Sequence, residues 1–245
     1  DWSEPEARIE WQELSENQPW KTSPDAIRKI VERLLNENVQ LFDRKVTQNI
    51  FQGIKTSADH IYVLEKISPN TYFYKNGKEM KQVTIEDKLM RKIASGNRIK
   101  RYERPIVDVF LLFPYDLSKS KPTLYPRDLL KKEYPHAWQY LCSHEEELRN
   151  REKGRFDHDE WYCFSRPQNL DKQSRPKLAV AGTSPELRVT CDETGELSTL
   201  GGRVYCILTT NEDNMAFLLG ILNSRLPNFV FKQIARPKSG GFFDA

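Results

Sequence analysis

Three features of the 245-residue sequence predict a mixed α+β domain with mainly antiparallel sheets and packed helices. Short β-branched and aromatic runs recur between turn residues, and Asn76-Gly77 is the strongest hairpin signal among them. Segments with apolar residues at the 3.6-residue period occur near the start, in the middle and at the end of the chain. No fixed-period repeat and no low-complexity tract accompanies them.

Taken in order, residues 23–41 read as a helix, with Ser23 as cap, Pro24 in its first position, and Ile27, Ile30, Val31, Leu34 and Leu35 on one face. A strand follows at Ile61-Tyr-Val-Leu64, and the Tyr72-Phe-Tyr74 run meets Asn76-Gly77 before Val83 as a small antiparallel unit. Thr84 opens an expected basic helix that ends at Gly96 in a left-handed cap, with Lys88, Arg91 and Lys92 on its outer positions. Arg98-Ile-Lys-Arg101 then leads into an apolar strand, Val107 to Phe113. A helical hairpin is expected over 126–152, since Pro126 and Pro135 each suit a first helical position and Trp138, Leu141 and Leu148 supply apolar faces. Strands are expected at Trp161–Phe164, Lys177–Ala181, Leu187–Thr190 and Arg203–Leu208. Two helices close the chain: 212–223, with Met215, Leu218, Leu219 and Leu222 on one face, and 226–234.

Composition bounds the function. With 38% hydrophobic residues, 12 Phe, 10 Tyr and 5 Trp, the chain can build a core, and its 30% charged residues leave a large polar surface. No run approaches the ~18 apolar residues of a membrane helix, and Asp-Trp-Ser-Glu-Pro at the start is no signal peptide. The expectation is a soluble, cytoplasmic protein with no membrane partner. Cys142, Cys163, Cys191 and Cys206 are too few and too scattered for a disulfide scaffold, which agrees with a reducing compartment. A first residue that is Asp and an end soon after a Gly-Gly pair suggest a piece of a longer protein.

The net charge of +3 conceals a strong asymmetry. In residues 1–25, Arg8 and Lys21 stand against seven carboxylates, whereas residues 75–104 hold ten basic side chains against Glu79, Glu86, Asp87 and Glu103. Residues 225–245 are basic again, with Arg225, Lys232, Arg236 and Lys238 against Asp244.

Catalytic signatures are sparse. The sequence has neither G-x-G-x-x-G nor G-x-x-x-x-G-K-[ST], and it lacks a G-x-S-x-G elbow, a His-Glu-x-x-His helix and an Asn-Pro-Pro-Tyr clamp. Asp59 with Glu79-Met-Lys81 imitates the spacing by which a magnesium-dependent nuclease holds its metal, although charged pairs of this kind arise readily beside a hairpin turn. Cys142, His144, His158 and Cys163 can be drawn as a zinc site, but positions i and i+2 on a helix do not share a face. Basic runs are commonly solvated faces, and this reading suits Lys131 and Lys132. It suits Lys55, Arg98, Lys100, Arg101 and the final segment less well, because these stand in turns beside small residues where backbone can approach a phosphate.

Several segments in order carry a more specific signal: Ile50-Phe-Gln-Gly-Ile-Lys-Thr-Ser-Ala-Asp-His-Ile-Tyr62, Arg91-Lys-Ile-Ala-Ser-Gly-Asn-Arg-Ile-Lys-Arg-Tyr102 and Leu112-Phe-Pro-Tyr115. They are followed by Pro135-x-x-Trp-x-Tyr-Leu141, Glu147-Leu-Arg-x-Arg151, Trp161-Tyr162, Arg166-Pro-Gln168, Leu219-Gly-Ile-Leu-Asn-Ser224 and Gly240-Gly241. This ordered set resembles the TaqI-like C-terminal specificity domain, or target recognition domain, of adenine-specific DNA methyltransferases. The resemblance implies that residues 46–245 form a non-catalytic duplex-DNA reader and that 1–45 are a linker and helix leading from a catalytic domain outside the chain. It also implies a parent in a restriction–modification or phage-defence system, a type IIG enzyme or a type II methyltransferase. No cofactor is expected in this fragment; S-adenosylmethionine, with or without magnesium, belongs to the parent's catalytic half.

On this reading Lys55, Thr56 and Ser57, then Arg98, Lys100 and Arg101, then Arg236 and Lys238 are the expected DNA contacts, with Lys119, Lys121, Arg175 and Lys177 as a second tier. Trp138, Tyr140, Leu141, Leu219 and Leu222 match the family but are expected in the core. Two alternatives remain beside the reader: the magnesium-dependent nuclease built on Asp59, Glu79 and Lys81, and a protein-docking module with solvated basic faces.

Overall fold

A computed structural model of the chain describes residues 25–36, 45–94, 96–105, 107, 109–118 and 121–244. The elements run α1 (Asp25–Asn36), β1 (Thr47–Gln52), the one-turn helix α2 (Asp59–Tyr62), β2 (Val63–Ser68), β3 (Thr71–Asn76), β4 (Glu79–Thr84) and β5 (Met90–Ala94). After them come β6 (Val109–Leu112), β7 (Tyr115–Asp116), β8 (Thr123–Leu124), α3 (Arg127–Glu133), α4 (Pro135–Ser143), α5 (Glu145–Arg149), the turn α6 (Arg151–Gly154) and α7 (Leu170–Gln173). The chain continues through β9 (Lys177–Ala181), β10 (Thr183–Ser184), β11 (Val189–Asp192), β12 (Ser198–Thr199), β13 (Val204–Thr209), α8 (Glu212–Leu222), α9 (Arg225–Ile234), β14 (Arg236–Pro237) and β15 (Phe243–Asp244). The fold is α+β, as the sequence predicts.

Two larger sheets organise the molecule. One has the order β12-β5-β6-β2-β3-β4 and the other β1-β13-β9-β11, all antiparallel except the short β12–β5 pair. Around the first, Leu64, Tyr72, Ile93 and Leu111 of the strands join Leu130, Tyr140, Leu141 and Leu148 of α3–α5 in one buried apolar cluster. In the second, the two-residue side-chain period sends Ala179 and Ala181 of β9 to one face, with Phe51 and Ile99, and Leu178 and Val180 to the other, against Met215 and Leu218 of α8. Covered on both faces, β9 is buried along its length, and this is why it reads as a continuous apolar run. The chain crosses between the sheets at 198–204, because β12 ends one and β13 is internal to the other.

Several expectations hold. The β3–β4 hairpin forms where Asn76-Gly77 marks it, with Gly77-Lys78 as its two-residue loop and Asn76 paired with Glu79; α4 starts at Pro135, and α8 and α9 lie where the periodicity put them. Others change. Residues 84–96 form no helix: a 3-10 turn at Asp87–Leu89 leads into β5, which β6 and β12 clamp from both sides. Ladder pairing with burial of Met90, Ile93 and Ala94 outweighs helix propensity here. Gly96 is not left-handed. A Cβ there would meet the Arg203 carbonyl oxygen at 2.5 Å, so close packing explains the glycine. The expected strand at 61–64 begins only at Val63, because Asp59–Tyr62 close one helical turn, and Trp161–Phe164 pack as turns rather than as a strand. Pro126 stands one position before α3 rather than in it. Residues 1–24 of the acidic opening, including Ser23 and Pro24, residues 37–41 of the first expected helix, and Lys119 lie outside the described residues.

Candidate nucleic-acid interface

The segment Gly53–Ala58 crosses the junction of the two sheets, and other parts of the chain take up its backbone groups. Ile54 N donates to Thr199 O at 2.7 Å and Ile54 O accepts from Gly201 N at 2.7 Å. Lys55 O accepts from Arg166 N at 3.1 Å and from Ser165 Oγ at 3.0 Å. Thr56 O accepts from the guanidinium of Arg151 at 2.6 Å. Arg151 is 6% exposed, and its remaining donors reach the carbonyls of Leu148, Trp161 and Cys163 at 2.8, 2.6 and 2.9 Å, while its plane lies 4.4 Å from the Phe156 ring centroid. Burial beside it pushes the Tyr62 phenol well up, and the nearby Arg151 charge offsets this only in part. A rigid turn results.

Its side chains are arranged by the same locking. Thr56 is fully buried; its Oγ1 accepts from Ala58 N at 3.0 Å and donates to Asp59 Oδ1 at 2.6 Å. Ser57 is left-handed (φ 54°) and exposed, within 2.8 Å of Glu152 Oε1 and of Ser165 Oγ. The Lys55 side chain lies against Gly201, where a Cβ would meet its Cγ at 2.7 Å. Residues 54–60 with Gly201 and Arg203 line an open depression of about 500 Å3.

Arg203, which sequence reasoning took only as the start of a strand, is the meeting point. Its guanidinium lies 3.2 Å from Asp59 Oδ2, and its carbonyl accepts from Gly182 N at 2.8 Å while Gly96 presses on the same oxygen. The loop carrying Arg98 is therefore packed against the loop carrying Arg203, which in turn lines one depression with Lys55. The next neighbours extend the face: the 3-10 turn Gly96–Arg98 touches β10, β10 pairs with β15, and β15 pairs with β14, where Arg236 stands exposed. Lys238 follows, 3.0 Å from Asp244. One sequence signal marks Arg203: it follows the Gly201-Gly202 pair.

The remaining expected residues are engaged in other contacts or stand exposed. Arg101 donates from Nε to the Leu187 carbonyl at 3.1 Å and its Nη2 lies 3.3 Å from Glu186. Lys100 lies 3.2 Å from Glu103, whose carbonyl is held by Thr190 of β11. Lys177, expected as a second-tier contact, is fully buried in β9 and bonds Asp192 at 2.6 Å and the Gln173 carbonyl at 2.8 Å. Arg175 donates to Gln48 at 2.6 Å, and Lys121 is exposed. Tyr140 and Leu141 are buried; Trp138, Leu219 and Leu222 are partly buried against the core.

Neither metal constellation assembles. Among the described residues no three His, Cys, Asp or Glu side chains come together as a metal-holding group. Asp59 is engaged by Thr56 and Arg203, whereas Glu79 and Lys81 stand exposed on β4, 4.0 Å from each other. Cys142 is exposed, and His144 packs against the rings of Tyr74 and Tyr140.

No family model matches the chain. Over 215 residues it is 25% identical to the type II methyltransferase M.BanIII of Aneurinibacillus aneurinilyticus, a match that covers 85% of this chain and 34% of that protein. The chain thus spans about a third of the length of this curated relative. No described helix is long and apolar enough to cross a membrane.

Proposed function

We propose that residues 46–245 form a sequence-specific duplex-DNA target recognition domain of the TaqI-like type, with 1–45 leading from a methyltransferase domain of the same parent. The observation that carries this reading is the convergence of basic loops from separate parts of the sequence, those of Lys55, Arg98 and Arg203, on one open face with a locked backbone. Lysine and arginine at such a face supply phosphate contacts, and loop side chains beside them can read base edges. The similarity to a type II methyltransferase over a third of that protein's length fits one module of a larger enzyme. Methylation of adenine, S-adenosylmethionine binding and any use of magnesium fall to the parent's catalytic half, so the fragment binds without reacting.

Anisotropy of the chain on randomised duplex at two salt concentrations, followed by sequencing of the bound pool, tests the proposal. Enrichment of one short motif, with affinity falling as salt rises, is the expected result. Charge reversal at Arg98 should weaken binding, whereas reversal at Arg101 should act through folding, because Arg101 is tied to Glu186 and Leu187. Absence of binding at low salt would favour a protein-docking role.

A further inference from the structure

The geometry points to a phosphate subsite formed by Lys55 and Arg203, in which Asp59 holds Arg203 in the free protein and releases it to a DNA backbone phosphate. The inference rests on the DNA-reading function proposed above and deepens it by assigning a ligand group to the depression and a regulating role to a carboxylate.

The acid is fixed and the base is not. Asp59 starts a helical turn, and its Oδ1 is held at 2.6 Å by the buried Thr56 hydroxyl, itself oriented by Ala58 N. Arg203 follows Gly202 (φ 77°), and its side chain is 59% exposed; only the end of the guanidinium touches Asp59, at 3.2 Å. The backbone of Arg203, by contrast, is pinned through its carbonyl to Gly182 and Gly96. Its head group can therefore turn while its origin stays in place.

Exchange is favoured for two reasons. An ion pair this exposed contributes little, so parting it costs little. A phosphodiester offers acceptor oxygens that match the planar guanidinium fork, and the ammonium of Lys55, whose stem lies flat on Gly201, adds a second charge from the same wall. His60 on the rim pairs with Glu147 at 2.5 Å and does not compete for Asp59. Asp59 thus lowers the attraction of this face for any duplex.

The test compares the 245-residue chain with Asp59→Asn, Arg203→Gln, Arg203→Lys and the Asp59→Asn/Arg203→Gln double variant. Each is titrated into labelled duplexes of several sequences over a salt series, with thermal unfolding as a folding control. Asparagine keeps the oxygen that Thr56 needs. Arg203→Gln should weaken binding about 3- to 10-fold and reduce the log–log salt slope by about one. Asp59→Asn should strengthen binding to every duplex by a similar factor, and the gain should vanish in the double variant. Arg203→Lys should retain the salt slope while losing part of the affinity. Unchanged or weakened binding by Asp59→Asn, or equal losses for the Lys and Gln variants, overturns the subsite. If the unmodified chain binds no duplex, it is the DNA-reading function itself that fails.

Discussion

A guanidinium surrounded by carbonyls is an unusual way to fix a turn, and Arg151 shows what it achieves. Four backbone oxygens from Thr56, Leu148, Trp161 and Cys163 accept from one side chain, so one residue ties the candidate contact loop to the α3–α6 region. Replacing it by Met should leave those acceptors buried and unpaired, at a cost of about 3 kcal/mol or more in urea unfolding. Lys should recover only a fraction, because a single ammonium cannot span the fork. A loss under 1 kcal/mol, as typifies a surface position (about 0.5 kcal/mol), would show that water replaces the arginine. The sequence does not disclose this role. Arg149, two positions earlier in the same motif, pairs instead with Glu145 and Asp157, and nothing in a charge pattern separates the two. Lys177 teaches the same lesson, since a lysine that begins an apolar strand looks like a surface residue until Asp192, directly opposite it on β11, is found to receive it.

At the scale of elements, legibility followed locality. The helices α4, α8 and α9 and the β3–β4 hairpin were readable because periodicity and turn chemistry fix them over a few residues. The segment 84–94 was not, because its partners are remote: β5 pairs with β12 more than a hundred residues later, and Asp87 is bound into the β2–β3 turn. Asp87 accepts from Lys66 Nζ at 2.8 Å, from Asn70 N at 3.1 Å and from the Tyr72 hydroxyl. Burial pushes its carboxyl up, but the bonds from Lys66, Tyr72 and Asn70 outweigh this and hold it below its ordinary value. A carboxyl depressed in the folded state stabilises above the unfolded-state value near 3.8 and loses that contribution as the pH falls through the folded value. Asp87→Asn should therefore lower the Tm at neutral pH, and the gap to the unmodified chain should close as the pH is taken from about 6 to about 3. A gap that stays constant with pH would assign the effect to shape rather than to charge.

Across the whole molecule the charge that matters is the charge on one face. A net charge of +3 is too small to describe the attraction of any surface, and of the densest basic stretch, 75–104, the candidate face takes Arg98. The fold divides that stretch. Lys75, Lys78 and Lys81 lie on the β3–β4 hairpin, at the edge of the six-stranded sheet opposite β12. Five strand spacings separate those edges, about 24 Å, and the chain leaves β12 directly for Arg203. Exposed lysines on an outermost strand have a sufficient purpose there, since they discourage edge-to-edge pairing. Contact by Lys55, Arg98, Arg203, Arg236 and Lys238 alone should give a log–log salt slope of about −4 to −5 on duplex DNA. Lys78→Glu with Lys81→Glu should then leave the slope unchanged, whereas Lys55→Glu or Arg236→Glu should flatten it by about one each. A slope near −8 that falls on reversal of the hairpin lysines would instead lay the duplex along the β4 edge, far from the locked turn. Measuring both pairs of variants on one duplex therefore decides which face of the molecule meets DNA.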